Sequence, residues 1–227
     1  MMNENIAKIA SLISDTSRAT ILVHLMDGRA HPATELAHVA KIKPQTASFH
    51  LNKLYEAQIV EVEKHGRHRY YKLTNHELAE SLEKLLYIAP CEPIRSFKQA
   101  KENKKIQYAR TCYDHLAGKL GVEITNALLN KQILIKKDTE FAVTKVGEAF
   151  FSDFGVNLER LHNKRRAFSR CCLDWTERQH HIAGALGNAI LVRMLEQNWI
   201  TKFEQSRAIH ITSLGQQKIY ETFSIKL

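Results

Sequence analysis

The sequence predicts a mainly α-helical fold with small β-hairpins, arranged as two domains. Apolar residues recur at helical spacing through most of the first 90 positions, and short strand-like pairs with turn glycines follow some of these helices. A break with two prolines at residues 89–93 then precedes a second half that contains a weak internal repeat. These observations predict one domain at 1–92 and an α+β domain at 93–227.

The composition excludes several classes of protein. At 227 residues and 44% hydrophobic content, the chain can form real cores. No apolar run is long enough to span a membrane and the first residues lack a signal-peptide pattern, so we expect a cytoplasmic protein without a membrane partner. Four cysteines are too few for a disulfide framework, and we expect them to be thiols. They are Cys91, Cys112, Cys171 and Cys172.

The net charge of +9 suggests an anionic partner, but it is unevenly distributed. Residues 1–92 hold 11 Lys or Arg and 11 Asp or Glu, whereas residues 93–227 hold 22 and 13. Net charge therefore does not locate a nucleic-acid-binding part, and any such assignment has to rest on the pattern of elements.

The first domain shows the order of elements of a winged helix-turn-helix. Its pattern predicts helices at residues 4–13, from Asp15 as N-cap to Met26, over about eight residues beginning at Pro32, and from Pro44 onward. Strands at 59–62 and 69–73 flank a turn with a glycine and form a hairpin, here called the wing. A further helix runs from residue 74 or 75 to about Ile88.

The helix that begins at Pro44 has the side chains that a DNA-reading helix needs. Small or hydrogen-bonding groups near its N terminus could meet base edges in the major groove, and flanking lysines could bind phosphates. The wing tip is basic and could contact the backbone or the minor groove. The candidate DNA-binding residues are Lys43, Gln45, Thr46, Ser48, Phe49, Asn52, Lys53, Lys64, His65, Arg67, His68 and Arg69.

Residues 5–88 resemble the ArsR/SmtB winged-helix repressors. The resemblance is carried by residues 17–22, 35–37 and 44–54 and by the hairpin end at 70–73. It implies a homodimer joined through the first helix and the helix after the wing, which binds a palindromic operator in double-stranded DNA and represses until an inducer arrives.

The metal sites of that family are not expected in this domain. Residues 31–35 contain no cysteine, and the positions corresponding to the ligands after the wing cannot rebuild a four-ligand zinc site. Those positions are Asn75, Glu77, Ile88 and Cys91. His50 matches a common family position, but its angle on the helix favours packing or phosphate contact over base reading.

The second domain contains two related segments, at about 110–155 and 170–223. Residues 117–121 reappear as 183–187, Thr-x-x-Gly recurs at 144–147 and 212–215, and Cys-x-Asp recurs at 112–114 and 172–174. We expect two helix-hairpin, winged-helix-like units about a local two-fold axis, with Gly and Ala letting facing helices approach closely.

The repeat places cysteines and histidines in corresponding segments, which makes them sensor candidates. Cys112 and His115 have the i, i+3 spacing of one helix face, and the second copy supplies matching groups. The candidate sensor residues are Cys112, His115, Cys171, Cys172, Asp174, His180 and His181.

Three interpretations of these residues stay open. A soft-metal or zinc site would use Cys112, His115, Cys172 and one of the two histidines at 180 and 181. A thiol switch would oxidise Cys112 against Cys171 or Cys172, with nearby Arg and His side chains lowering a thiol pKa. Alternatively, the cysteines are small buried apolar groups, and a pocket between the repeats binds an organic effector or nothing.

We therefore expect a sequence-specific DNA-binding transcriptional regulator, a dimeric repressor released by a small-molecule or redox effector sensed in residues 93–227. The sequence has no phosphate loop, nucleophile elbow or metalloprotease motif, so we expect neither an enzyme nor a cofactor. The alternative is an architectural or interaction-type nucleic-acid-binding protein without a sensor function.

Overall fold

The chain divides into two compact units, Met1–Leu82 and Glu83–Leu227. This computed structural model describes residues 2–66, 68–89, 96–203 and 206–226. The division comes earlier than the break expected between residues 92 and 93, which lies outside the described residues. The first residue after the division, Glu83, belongs to the second unit by its side chain too, because its buried carboxylate pairs with the buried guanidinium of Arg207 at 2.5 Å.

The first unit has the element order of a winged helix-turn-helix, and its three strands form one antiparallel sheet in the order β1-β3-β2. Its elements, with a last helix that crosses the division, are α1 Met2–Ile13, α2 Thr16–Leu25, β1 His31–Pro32, α3 Ala33–Val39, α4 Pro44–Glu56, β2 Val60–His65, β3 His68–Leu73 and α5 His76–Ile88.

Helix starts in this unit follow the capping residues of the sequence. Asp15 caps α2 by accepting a hydrogen bond from the Arg18 amide at 2.9 Å, and Pro44 begins α4. The prediction was wrong at Pro32, which precedes α3 instead of lying in its first turn. Its ψ of 149° is extended, and it lies in β1 opposite Tyr70.

The core of the first unit lies where α2, α3 and α4 meet the sheet. Ala47, Leu51 and Leu54 form the predicted inward stripe of α4, and each is 0% exposed. His50 is also buried, and its Nδ1 lies 3.2 Å from Nη1 of Arg18 in α2. This agrees with the helix-packing interpretation of His50, and the remaining faces of α4 are left to solvent.

The second unit repeats the order hairpin, helix, hairpin, helix, after one preceding helix. Its elements after α5 are α6 Phe97–Tyr108, β4 Arg110–Cys112, β5 His115–Ala117, α7 Gly118–Asn130, β6 Leu134–Lys137, β7 Glu140–Val143, α8 Lys145–Asp153, α9 Leu158–His162, β8 Arg170–Leu173, β9 His180–Ala183, α10 Gly184–Glu196, β10 Ile200–Lys202, β11 Ile209–Ile211 and α11 Ser213–Phe223. The predicted mainly helical fold with small hairpins is confirmed.

The repeated sequence landmarks have the same structural role in both copies. Thr144 caps α8 and Thr212 caps α11, and in each case the hydroxyl accepts a hydrogen bond from the amide of the glycine three residues later. The helices of the two copies exchange partners, since α7 packs on β9 and α10 packs on β5.

The glycines of the repeat allow a helix to approach strands, not another helix as expected. A Cβ added to Gly121 in α7 would lie 2.6 Å from the Leu116 carbonyl oxygen and 3.7 Å from the His181 Cβ. Within the described ranges, no helix is long and apolar enough to cross a membrane.

Candidate functional site

The exposed face of α4 carries the predicted DNA-contacting side chains. All of them are solvent-exposed: Lys43, Gln45, Thr46, Ser48, Phe49, Asn52 and Lys53. Phe49 is 57% exposed, which is unusual for a large apolar side chain in a folded unit. The ammonium of Lys53 lies 4.5 Å from its ring centroid, so a cation and an apolar surface are presented together.

The wing presents a second polar surface beside α4. In its register Lys64 pairs with Arg69 and His65 pairs with His68, and all four are exposed. Arg67, also a candidate, lies outside the described residues. A groove between α4 and the wing is lined by Ser48, Asn52, His68 and Arg69 among others.

Lys72, at the base of the wing, forms ion pairs within the protein. Its ammonium lies 3.0 Å from the Glu61 carboxylate and also contacts Glu63, and these hydrogen bonds raise its pKa to about 12. Among the described residues of the wing, the cations available to an anionic partner are therefore at its tip.

His31, in the segment before α4, belongs to a closed network. Its Nδ1 lies 3.0 Å from Glu35 and its Nε2 lies 3.0 Å from Asp27, while Glu35 also contacts His24 at 3.3 Å. Burial alone would lower the pKa of His31, but the carboxylates of Asp27 and Glu35 raise it. His24, His31 and Glu35 offer three ligand-type atoms within 4.8 Å of one another, one fewer than a closed four-ligand zinc site needs. Cys91, another family-related position, lies outside the described residues.

In the second unit, two hairpins bring four candidate sensor residues together. Cys112 and His115 are opposite one another in β4 and β5, and Cys172 and His181 are opposite one another in β8 and β9. The prediction that Cys112 and His115 share a helix face was wrong. Residues 113 and 114 form a tight turn, with a left-handed φ of 57° at Tyr113.

These four side chains, here called the Cys–His cluster, meet in one small volume. The Sγ atoms of Cys112 and Cys172 are 3.9 Å apart, and the Nε2 atoms of His115 and His181 are 3.1 Å apart. One ligand-type atom from each residue lies within 4.8 Å of all the others. Both histidines and Cys112 are buried, whereas Cys172 is partly exposed.

A carboxylate stands behind each imidazole of the Cys–His cluster. His181 Nδ1 lies 3.2 Å from Asp174 Oδ2, and His115 Nδ1 lies 3.5 Å from Asp114 Oδ1. Burial alone would raise the pKa of Asp174, but its contacts with His181 and with Arg110, at 2.9 Å, hold that pKa well below its usual range. Both rings therefore face the cluster through Nε2.

The thiols are not activated in the way the redox interpretation required. Its hydrogen bond with Cys172 and its burial raise the pKa of Cys112 well above the usual range. Burial also raises the pKa of Cys171. The prediction that neighbouring cations lower a thiol pKa was therefore wrong for these two residues. Burial alone would lower the pKa of His115, but Cys112 and Asp114 raise it to about 10.

Three candidate sensor residues lie outside the Cys–His cluster, and one of them, Asp174, stands behind His181. Cys171 pairs with Ile182 and His180 pairs with Leu173, one position along each strand, so their side chains point to the other face of the hairpin. Sequence reasoning missed the role of Asp114, although the recurring Cys-x-Asp step was its signal. It also missed Arg166, which pairs with Asp114.

Comparison with known proteins places this architecture among regulators. A family model described as a helix-turn-helix domain matches residues 12–63, which include α2, α3 and α4. YdfF of Bacillus subtilis (strain 168), an HTH-type transcriptional regulator, is 58% identical over 226 residues, and the match covers all of both chains. The chain belongs to this family of HTH-type transcriptional regulators. The prediction of a helix-turn-helix transcriptional regulator is confirmed.

Solved structures are similar to part of the regulator. NolR from Sinorhizobium fredii is 22% identical, with 40% of this chain and 90% of that chain covered and a TM-score of 0.37. The transcriptional repressor BigR from Xylella fastidiosa is 26% identical, with 40% and 91% covered and a TM-score of 0.36.

Proposed function

We propose that this regulator is a dimeric repressor that binds a palindromic DNA operator and is released when the second unit senses an effector. The observation that carries the proposal is the polar face of α4 beside the basic wing, within the unit that includes the helix-turn-helix match. Gln45 and Thr46 begin α4, where side chains reach base edges, and Lys64 and Arg69 suit phosphates.

Exposed apolar side chains on α1 support dimer formation. Ile6 is 69% exposed and Ile9 is 42% exposed, at the i, i+3 spacing that places them on one side of the helix. The end of α5 leaves Ile88 72% exposed. A second copy of the chain would cover such residues, in agreement with the dimer that the ArsR/SmtB resemblance implies.

Repression with release requires only that an effector prefer the form that does not bind DNA. A preference of about 3 kcal/mol lowers operator affinity roughly 150-fold. The buried polar cluster of the second unit is the candidate for that sensor, because four metal-type ligands or reactive groups meet there. A core between the two repeats would not require these buried polar groups, because apolar residues alone could form it.

Footprinting on the promoter region of the regulator's own gene tests the proposal, because repressors of this kind often control themselves. We expect a protected palindrome, bound by a dimer. Ile6→Glu should weaken dimer formation and operator binding together, whereas Val146→Glu, at a 61% exposed position of the second unit, should leave both unchanged. A steep salt dependence with no sequence preference would contradict the proposal and favour an architectural nucleic-acid binder.

A further inference from the structure

We propose that Cys112, His115, Cys172 and His181 form a binding site for one zinc-type divalent cation, held by two thiolates and two imidazole Nε2 atoms. The helix-turn-helix match, at residues 12–63, does not include these four residues. The site belongs to the duplicated second unit and uses none of the residues at 31–35 or in α5.

The distances in the Cys–His cluster match those of a tetrahedral metal site. Zinc bonds of about 2.0 Å to nitrogen and about 2.3 Å to sulfur, at tetrahedral angles, place two nitrogens about 3.3 Å apart and two sulfurs about 3.8 Å apart. The corresponding separations here are 3.1 Å for the imidazoles and 3.9 Å for the thiols. The N–N and S–S separations thus agree with a tetrahedral site, and the four ligand atoms all lie within 4.8 Å of one another.

The surroundings orient the two histidines as a metal site requires. A metal-binding imidazole usually gives its second nitrogen to a carboxylate, which fixes the ring and its tautomer. Asp114 Oδ1 lies 3.5 Å from His115 Nδ1, and Asp174 Oδ2 lies 3.2 Å from His181 Nδ1, where a small rotation of the ring would be needed to complete the hydrogen bond. Asp174 is itself fixed, because it accepts hydrogen bonds from the Gly118 amide at 2.7 Å and from Arg110 at 2.9 Å.

The hairpin register explains why the same ligand pair occurs twice. In each hairpin a cysteine on the first strand lies directly opposite a histidine on the second, so both side chains leave the same face. Each copy contributes half of a four-ligand set. Neither hairpin could hold a zinc-type cation alone, because two ligands leave the coordination sphere open.

A disulfide between Cys112 and Cys172 is the competing use of these sulfurs. The sulfurs would have to move from 3.9 Å to about 2.0 Å, and an oxidant would have to reach one of the two thiols, of which Cys112 is buried and Cys172 is partly exposed. A disulfide would also involve only the two sulfurs, and not the paired imidazoles or the carboxylates beside them. Metal binding needs no oxidant, since the cation replaces the two thiol protons and any proton on the two Nε2 atoms, all of which pass to solvent.

This inference rests on the proposed function only for its regulatory consequence. If the cation is the effector, its binding and operator binding must change each other's affinity by the same factor, typically about 5- to 150-fold. Occupancy of the site itself can be measured without DNA, so the two claims fail separately.

Cobalt and zinc titrations of the reduced, metal-free full-length regulator test the site. We expect about one Co²⁺ per protomer, with the thiolate charge-transfer and intense visible bands of tetrahedral S2N2 coordination, and displacement by Zn²⁺. Cys172→Ser and His181→Gln should abolish these bands. Cys171→Ser and His180→Gln, one position away on the same strands, are the matched controls and should retain them.

Asp114→Asn provides a variant that leaves all four ligands in place. We expect it to keep the tetrahedral spectrum but to weaken affinity about 10- to 100-fold. Circular dichroism should show a folded protein in every variant used. The site is overturned by octahedral or absent cobalt bands in the folded wild type, or by equal losses in the Cys171 and Cys172 variants. A Cys112–Cys172 disulfide formed by dilute peroxide in protein that binds no cobalt would establish the thiol switch instead.

Operator binding with and without Zn²⁺ then separates the site from its regulatory role. Altered affinity in the wild type, abolished by Cys172→Ser and retained by Cys171→Ser, supports a metal-responsive regulator. Cobalt binding without any change in operator affinity would overturn the regulatory consequence and leave a structural metal site. Cobalt binding by a regulator that footprints no operator would refute the proposed function alone.

Discussion

His115 and His181 face each other through Nε2 atoms 3.1 Å apart, although 66 positions separate them in the chain. The contact joins the two copies of the repeat at equivalent places, since each histidine lies opposite the cysteine of its own hairpin. A duplication has therefore placed identical chemistry on both sides of one junction. This junction also contains the most deeply buried ion pair of the second unit's hairpins, between Arg110 and Asp174, with both side chains 0% exposed.

The Arg110–Asp174 pair makes Asp174→Asn a severe change. Loss of the carboxylate leaves the buried guanidinium of Arg110 without its counter-charge, and removal of one partner of a buried pair typically costs about 3–5 kcal/mol. We expect the free energy of unfolding of the second unit to fall by this amount. Urea unfolding followed by tryptophan fluorescence measures it, because both tryptophans, Trp175 and Trp199, belong to this unit.

Asp153→Asn is the control for that experiment, because Asp153 is exposed at the end of α8. Its effect should stay within about 0.5 kcal/mol. Equal effects of the two substitutions would show that Asp174 does not stabilise the hairpin junction through its charge.

Gly121→Ala tests the close approach of α7 to the hairpins. The added Cβ would lie 2.6 Å from the Leu116 carbonyl oxygen, which is backbone and cannot turn away. Overpacking of this kind costs about 1–3 kcal/mol, so we expect a lower unfolding midpoint for the second unit. Thermal unfolding checks this, with Lys119→Ala on the exposed side of the same helix as the control. A Gly121 variant as stable as wild type would mean that α7 can shift freely.

Local signals in the sequence were sufficient for most elements of the first unit. The caps and helix starts at Asp15 and Pro44 depend on neighbours within four residues, so their chemistry is visible in the sequence. The end of the first unit was not predictable in this way. Residues just past it make contacts far along the chain, such as that between Glu83 and Arg207, which are 124 positions apart.

Only part of the candidate site was predictable from the sequence, and the reason is geometric. The repeat indicated that Cys112 and Cys172 occupy equivalent places, but an i, i+3 spacing fits two structures. It joins neighbours on a helix face, and it also joins the residues that flank a two-residue hairpin turn. Cys112 and His115 have the second arrangement. The choice of His181 over His180 likewise required the strand register, because neighbouring residues of a strand face opposite sides.

The network around His31 predicts a pH range of greatest stability for the first unit. His31 faces Asp27, Glu35 and His24, and Arg29 also contacts Asp27. Burial alone would raise the pKa of Asp27, but bonds from His31 and Arg29 lower it from 3.8 to about 2. Its stabilising contribution is therefore present above pH 3.8 and is lost as the pH falls toward 2. The raised pKa of His31 gives a contribution that is complete below pH 6.5 and is lost at higher pH, as the folded group deprotonates. Burial and the charge of His31 lower the pKa of His24, so His24 opposes this contribution as the pH falls below 6.5.

Asp27→Asn should remove the first contribution and weaken the second, since Glu35 still faces His31. We expect the first unit to lose about 2 kcal/mol near pH 5 and to become less sensitive to pH on either side. Hydrogen exchange of peptides from α2 and α3 measures this, since tryptophan fluorescence reports on the other unit. Glu77→Gln, at an exposed position of α5, is the control. Unchanged exchange in the Asp27 variant would show that the network does not stabilise the folded unit.

The wing and α4 should contribute differently to DNA binding, and salt dependence separates them. Lys64 and Arg69 are paired cations at the wing tip, where they can contact phosphates. Each lost phosphate contact should reduce the slope of log affinity against log salt concentration by about 0.9, so Lys64→Ala with Arg69→Ala should reduce it by about 2. Because phosphates carry no sequence information, affinity for operator and for unrelated DNA should fall by similar factors.

Gln45→Ala should instead reduce the preference for operator and leave the slope unchanged. Fluorescence anisotropy at several salt concentrations measures both quantities, and Lys145→Ala in the second unit should alter neither. An unchanged slope in the double variant would remove the wing from the interface, because a cation that releases no counterions makes no phosphate contact.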